Sequence, residues 1–283
     1  QLISILSGAI WCLTVISTKV LINHGLTPQE IFFYRFLIAY LGIWIISPKR
    51  LFTNNWQDEL WLVAGGIFGG SLYFFTENTA LGITQASNVS FIICTAPLLT
   101  TILSLLFYKS EKASKGLIYG SLLALMGVGL IVFNGSFVLK ISPIGDLLTL
   151  LAALSWAFYS LIIKKMAGRY PTIFITRKIF FYGVLTILPA FLLHPLHPDT
   201  AVLLQPAVLF NLLFLAVLAS LICYVLWNVV LKQLGTVRAS NYIYLNPLVT
   251  MIASFLILDE KITLVALGGA ACIVCGVYWA EKK

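Results

Sequence analysis

Long apolar stretches without charge, divided by short polar breaks, set the pattern of this chain. Gln85 to Tyr108, Leu117 to Leu139, Ile179 to Pro198, Thr200 to Leu231 and Ala239 to Leu258 contain no Asp, Glu, Lys or Arg. An α-helix rises about 1.5 Å per residue, so about 20 apolar residues cross a hydrocarbon core of about 30 Å, and each run is long enough. Nothing alternates with a period of two, which favours helices over barrel strands. The breaks carry turn formers: Gly25 with Pro28, Pro48 with Asn54 and Asn55, Asn134 with Gly135, Pro171, and Pro195 through Pro206. Gly82 and Gly235 mark two very tight connections. The pattern predicts an all-α integral membrane protein with ten transmembrane helices, over about 2–22, 30–46, 60–81, 86–107, 116–133, 145–164, 174–193, 207–231, 237–257 and 262–280.

Composition strengthens this reading. The 283 residues are 60% hydrophobic and 10% charged, with a mean hydropathy of +0.99. Soluble domains carry about 25% charged residues, and a single soluble core could not hide so much apolar surface. The net charge of +8 would suit nucleic acid, but the basic residues sit at the ends of apolar runs. With a cytoplasmic N-terminus, one side receives Lys49, Arg50, Lys109, Lys112, Lys115, Lys164, Lys165, Arg169, Arg177, Lys178, Lys232, Arg238, Lys282 and Lys283. The other receives Lys19, Arg35, Lys140 and Lys261. That is 14 against 4, a strong positive-inside bias that predicts cytoplasmic N and C termini. No cleavable signal peptide is read in the first apolar segment.

The five cysteines (Cys12, Cys94, Cys223, Cys272 and Cys275) fall in apolar segments. Cys272 and Cys275 form a CxxC, but no second ligand pair accompanies them, and small apolar packing is the better reading. Histidines His24, His194 and His197 lie in predicted outer loops, where an isolated HPLH is weak support for a metal site. There is no HExxH, GxSxG, Walker A or dinucleotide fingerprint. No catalytic residue, metal or cofactor is assigned.

The second half of the chain repeats the first. At an offset of 150, residues 74–107 match 224–257 at ten of 34 positions, among them Asn78/Asn228, Ser90/Ser240, Pro97/Pro247, Thr100/Thr250 and Ser104/Ser254. At 149, Glu111-Lys112 matches Glu260-Lys261, and Gly120 and Gly127 match Gly269 and Gly276. At 145, Trp11 matches Trp156 and Lys19 matches Lys164. The predicted units are 1–140 and 141–283, two five-helix repeats forming one transport domain. Five spans is an odd number, so the second repeat enters the membrane with opposite polarity. Inverted repeats of this kind recur in transporters, where exchanging the conformations of the two repeats converts an inward-open state to an outward-open one.

These residues resemble the EamA-type branch of the drug/metabolite transporter superfamily over essentially the whole chain. The resemblance rests on Trp11 with Lys19 eight residues on, Arg35 in the second span, and the paired Ser87-Asn88-Val89-Ser90 and Val237-Arg238-Ala239-Ser240 segments. Each of those segments leads into a proline and then a Glu-Lys pair. The resemblance implies ten helices, cytoplasmic termini, a central cavity between the halves and metabolite export.

Pro97 and Pro247 stand near the middle of their spans. Each removes a backbone donor and leaves the carbonyl of Ile93 or Ile243 without its usual partner, and in hydrocarbon that carbonyl must face protein, water or ligand. The expectation is a kinked, cavity-lining helix pair; a packing kink satisfied by Ser90 or Thr95 is the plainer reading. Polar and aromatic residues fall on helical faces: Asn88, Phe91 and Thr95; Tyr224, Trp227, Asn228 and Leu231; Asn241, Tyr244 and Asn246; Tyr73, Glu77 and Asn78; Trp11 with Thr14; Trp156 with Tyr159. Rings that give contact area and amides that orient suit a small amphipathic ligand, whereas interhelical bonding and interfacial belts are the competing use. Glu77 is the one acidic residue well inside a span, and with this topology Lys19 or Arg35 can pair with it at an outer gate or proton-coupling site. Lys164 and Arg177 are the cations on the inner side. The glycine runs, including Gly65, Gly66, Gly69 and Gly70, read as close helix contacts.

The function expected is secondary transport: export of small metabolites such as amino acids, aromatic or apolar ones foremost, by alternating access through a central cavity. An integral-membrane enzyme or a channel is the alternative. Expected partners are the small-molecule substrate and the lipid bilayer, with no nucleic acid; a coupling proton or ion, and a monomer or homodimer, stay open. Short loops suit a bacterial inner membrane.

Overall fold

The computed structural model describes residues 2–47, 52–108, 114–133, 142–193, 195–196, 200–249, 251–252 and 263–281. The Glu-Lys pairs, the Asn134-Gly135 turn, Lys140, His194, His197 and the distal part of the predicted ninth span lie outside them. Every regular element among the described residues is helical. The first half contains α1 (Leu2–Asn23), α2 (Pro28–Ile46), α3 (Trp56–Gly66), α4 (Leu72–Ile83), α5 (Ala86–Ile93), α6 (Ala96–Phe107) and α7 (Lys115–Phe133). The second contains α8 (Pro143–Ala167), α9 (Thr172–Ile187), the short α10 (Ala190–Leu193) and α11 (Thr200–Leu203), α12 (Pro206–Leu213), α13 (Cys223–Leu234), α14 (Thr236–Asn241) and α15 (Leu264–Glu281). Among the described residues, six helical stretches are long and apolar enough to cross a membrane: Pro28–Ile46, Ser87–Phe107, Lys115–Phe133, Pro143–Ala167, Thr172–Leu192 and Pro206–Leu234.

Local chemistry sets the boundaries. Thr27 closes a capping box, accepting from Glu30 N while Glu30 Oε2 accepts from Thr27 N at 2.9 Å, and Pro28 opens α2 where no donor is needed. Asn55 caps α3 by accepting from Asp58 N at 2.8 Å. Gly235 joins α13 to α14 at φ +80°, a left-handed conformation that glycine adopts at no steric cost. Gly82, by contrast, sits in the last turn of α4, and Thr84 and Gln85 make that connection.

The spans are irregular at two pairs of places. A π-turn, Ile67–Ser71, joins α3 to α4, and a π-segment, Phe214–Ile222, joins α12 to α13. Shifted by 150, the first corresponds to residues 217–221, inside the second. Both prolines mark outright helix breaks. Pro97 is the second residue of α6, after a turn at Cys94 and Thr95, and Pro247 is the second residue of a helical stretch over 246–249, after the 3₁₀ turn Tyr242–Leu245. The carbonyl expected to be orphaned at Ile243 has a partner: the chain tightens so that Asn246 N donates to it. In the first break, the Thr95 hydroxyl donates to Ile92 O at 2.7 Å.

α8 is largely enclosed, with Ala152, Ala153, Trp156, Ala157, Tyr159 and Ile163 all buried. On the outside, Ile45, Leu106, Leu147, Leu192 and Phe210 present apolar side chains, as a lipid-facing surface requires. α7 and α15 pack antiparallel with almost no side chain between them. A Cβ on Gly127 would stand 2.5 Å from Gly269 O, and one on Gly276 would stand 2.5 Å from Gly120 O. These are backbone contacts, so nothing flexible can give way. We predict that Gly127→Val lowers the melting temperature in detergent by at least the several degrees that an overpacking cost of about 1–3 kcal/mol implies. Gly268→Ala, which meets nothing within 4 Å, leaves it unchanged. Equal melting of Gly127→Val and the wild type would sink the seam as a rigid contact.

Candidate functional site

Aromatic rings from α1, α4, α8 and α13 converge in the middle of the molecule. The Trp11 ring lies 5.3 Å from Trp156 and 5.2 Å from Trp227, both edge-on, and 6.4 Å from Tyr224. Trp156 lies 5.2 Å from Tyr73, 5.1 Å from Tyr159 and 5.9 Å from Tyr224. Edge-to-face pairs at these separations contribute about 0.5–1.5 kcal/mol each beyond the area they bury. Tyr159 and Tyr224 have no exposure and Trp227 has 1%. Phe36 and Phe180 close the cluster against Tyr224 at 5.6 and 5.5 Å.

The polar atoms of these rings hold the two irregular backbone segments. Trp11 Nε1 donates to Ala219 O at 3.0 Å, and the Tyr224 hydroxyl donates to Gly69 O. Gly69 and Ala219 are equivalent at the offset of 150, and each accepts from a donor in the opposite half. Gly69 has no Cβ because the Tyr159 ring occupies that space. Tyr159 donates to Asn228 Oδ1 at 2.7 Å, and Asn228 Nδ2 donates to Thr176 Oγ1 at 2.9 Å. Arg35 lies 4.2 Å from the centre of the Phe74 ring, and its Nε donates to Ser220 Oγ at 2.9 Å. The indole N–H groups of Trp156 and Trp227 are buried without an acceptor among the described residues.

The expected residues divide into those this cluster unites and those it does not. Trp11, Tyr73, Trp156, Tyr159, Tyr224, Trp227 and Asn228 come together. Glu77 joins through Tyr73, whose hydroxyl donates to Glu77 Oε1 at 3.0 Å. Among the described residues no ion pair within 4 Å joins Glu77 to Lys19 or Arg35; Tyr73 donates to Glu77, Arg35 lies on Phe74 and Ser220, and the charges of Glu77 and Arg35 act on each other from further off. Asn78 points elsewhere, donating to Pro28 O at 3.4 Å. Asn88 is buried in α5, Phe91 packs 5.2 Å from Phe133, and Thr95 bonds its own turn. Asn241 meets Ser121 of α7 at 3.5 Å, Tyr244 is buried in the 3₁₀ turn, and Asn246 lies against Gly8 of α1.

A second polar cluster, absent from the sequence reading, joins α3 and the residues just before it to α9 and the turn between α8 and α9. Lys178 pairs with Glu59, which also accepts from the Tyr182 hydroxyl and from Thr53 N at 2.9 Å. Arg169 pairs with Asp58 at 2.6 Å, and Tyr170 donates to the other Asp58 oxygen at 2.9 Å. Arg177 donates to Ser47 O. Asp58, Glu59 and Lys178 are all buried. The only signal in the sequence was two adjacent acids just before the span predicted over 60–81. Of the two inner cations singled out, Lys164 lies 4.2 Å over the Tyr108 ring.

Comparison with known proteins agrees with this architecture. An uncharacterized transporter of Archaeoglobus fulgidus is 29% identical over 287 residues, covering 100% of this chain and 97% of that protein. A probable amino-acid metabolite efflux pump of Escherichia coli is 23% identical, covering 98% and 92%, and its namesake from Salmonella typhimurium is 26% identical over the same shares. One crystal structure superposes with a TM-score of 0.75 at 17% identity, covering 99% of this chain and 95% of that one, a likeness of fold. These names point to a transporter rather than an enzyme. The EamA-like transporter family matches residues 1–133 and again 143–280, and the chain belongs to that family.

Proposed function

We propose that this protein is a secondary carrier of a bacterial inner membrane that exports small metabolites, amino acids with aromatic or apolar side chains foremost, by alternating access. In this reading ten spans form two inverted five-helix repeats with cytoplasmic termini. The observation that carries it is the aromatic cluster, because both halves contribute to it in corresponding ways. Trp11 and Trp156, equivalent at an offset of 145, touch each other, as do Phe74 and Tyr224, equivalent at 150. Residues on a two-fold axis meet their own counterparts in this way.

The glycine seam supports the inversion independently. Gly120 corresponds to Gly269 and Gly127 to Gly276, yet Gly120 meets Gly276 and Gly127 meets Gly269. That crossed pattern is what antiparallel two-fold packing produces. The paired π-segments and paired proline breaks give corresponding discontinuities in spans three and eight and in spans four and nine, the feature that marks binding sites in inverted-repeat carriers. The names of the efflux-pump relatives favour amino-acid metabolites among the possible cargoes.

In this carrier the Asp58–Arg169 and Glu59–Lys178 pairs latch the two halves at the cytoplasmic end, where the charge distribution puts Arg169 and Lys178. The ring cluster is the binding site between them and the outer face.

The first test is counterflow of a radiolabelled amino-acid panel in proteoliposomes. Saturable exchange of one class in the wild type, lost in Trp227→Ala, is the expected result; no exchange of any amino acid would overturn the substrate assignment. The second is Glu59→Gln, which strands a buried lysine and weakens closure of the inner end. The turnover of each folded carrier changes while KM for the cargo holds. A merely structural pair would lower the folded fraction and leave turnover per folded carrier as it was.

A further inference from the structure

The aromatic cluster has two hydrogen-bond donors left over, and both are indoles. Trp156 Nε1 and Trp227 Nε1 have no acceptor among the described residues, although the side chains are 6% and 1% exposed and their rings lie 6.1 Å apart. The donors of the cluster's other rings are engaged. Trp11 reaches Ala219 O, Tyr224 reaches Gly69 O, Tyr159 reaches Asn228, Tyr73 reaches Glu77, and the Asn228 amide reaches Thr176. A buried donor without a partner costs about 1–3 kcal/mol. Fourteen buried side-chain atoms among the described residues lack a partner, and these two donors on adjoining rings point to one place completed by something else. An indole N–H can only donate, so the missing group is an acceptor.

The surrounding charge selects the kind of acceptor. Arg35 is 1% exposed and lies against a ring face and a neutral hydroxyl; no carboxylate stands within ion-pair distance of it among the described residues, although the Glu77 carboxyl acts on it from further off. The nearby carboxyl, Glu77, already accepts from Tyr73. An organic cation fits the ring faces, but it would meet a buried guanidinium and two donors, and both oppose it. A carboxylate meets the guanidinium and the two donors with the favourable sign, and hydrogen bonds to an ionised acceptor are about twice as strong as neutral ones; the Glu77 carboxyl, bonded to Tyr73 and within reach of the Arg35 charge, is the opposing group.

We infer that the cluster takes its ligand as a carboxylate, whose oxygens accept from the indole N–H groups of Trp156 and Trp227, with the apolar body of the ligand against Trp11, Tyr159 and Tyr224. The inference rests on the carrier reading and narrows it: the recognised end of the cargo is its acid group, held by neutral donors with Arg35 behind them.

A ligand–variant cycle tests this. Aromatic amino acids and their decarboxylated amines compete for counterflow in proteoliposomes of wild type, Trp156→Phe, Trp227→Phe and Trp11→Phe. Phenylalanine keeps a ring and removes the N–H. The inhibition constant of the amino acid is expected to rise about tenfold or more in Trp156→Phe and Trp227→Phe, with that of the amine unchanged. Trp11→Phe, whose N–H belongs to Ala219, should weaken both ligands by a common factor. If Trp156→Phe and Trp227→Phe leave the amino acid unaffected, or weaken acid and amine equally, the inference is wrong though the carrier reading stands. A wild type that prefers the amine makes this a cation site and also overturns it. A wild type that binds neither member of any pair removes the amino-acid carrier reading, and the carboxylate inference falls with it.

Discussion

A backbone carbonyl inside a membrane protein must find a donor, because hydrocarbon offers none and an unmet carbonyl costs several kcal/mol. Two π-segments interrupt the regular bonding of their spans at corresponding places, and in each a carbonyl accepts a bond from an aromatic side chain: Gly69 O from Tyr224, Ala219 O from Trp11. Each bond crosses from one half of the sequence to the other. The donors are large rings, so satisfying the backbone also fixes where those rings stand. The aromatic cluster is in this sense a consequence of the irregular backbone, and its geometry follows from two hydrogen bonds.

Glycine makes the arrangement sterically possible. Without a side chain at Gly69, the Tyr159 ring lies over the π-turn, and its hydroxyl reaches Asn228. At Gly66 and Gly183 the absence of side chains brings α3 and α9 to backbone contact: a Cβ on Gly66 would stand 2.9 Å from Gly183 N. That close approach carries Asp58 and Glu59, about two turns earlier on α3, to Lys178 and Tyr182 of α9 and to the α8–α9 turn. A small-residue contact in the middle of the spans thus positions the ionic cluster at their end.

The sequence made some of this legible and hid the rest, for physical reasons. Charge-free runs revealed the helices because the length needed to cross a bilayer is fixed. The paired Pro97 and Pro247 revealed helix breaks because proline lacks a donor wherever it stands. The Trp11, Trp156, Tyr224 and Trp227 faces were readable from helical spacing, and these rings do converge. The π-segments were not readable, since their geometry comes from bonding across the bundle and leaves no composition of its own. Asn78 and Asn228 illustrate a limit of repeat reasoning: both donate to a neighbouring helix, Pro28 O and Thr176 Oγ1 respectively, but only Asn228 also receives a ring hydroxyl, because its neighbour on α8 is a tyrosine. Glu59 and Lys178 were missed because ion-pair partners more than a hundred residues apart have no local signature.

Three contacts between the halves differ in how they can move. The α7–α15 seam is backbone against backbone, so it has no rotamers to change and can only hold or separate. The ring cluster is held mostly by dispersion and edge-to-face contact, which falls off smoothly as rings slide. The Glu59–Lys178 pair depends on close approach in a buried setting, where separating a pair without replacing its partner is costly, whereas the Asp58–Arg169 pair has its arginine half exposed to solvent. For a carrier working by alternating access, this division assigns the motions. In the alternating-access carrier proposed above, the glycine seam would stay fixed as a pivot, the rings would adjust around cargo, and the ionic end would open only when water enters to solvate its charges. Cargo that brings its own acceptors to the two indoles would stabilise the ring cluster while leaving the charged end unchanged. Opening of that end would then be governed by hydration and not by the cargo's bulk.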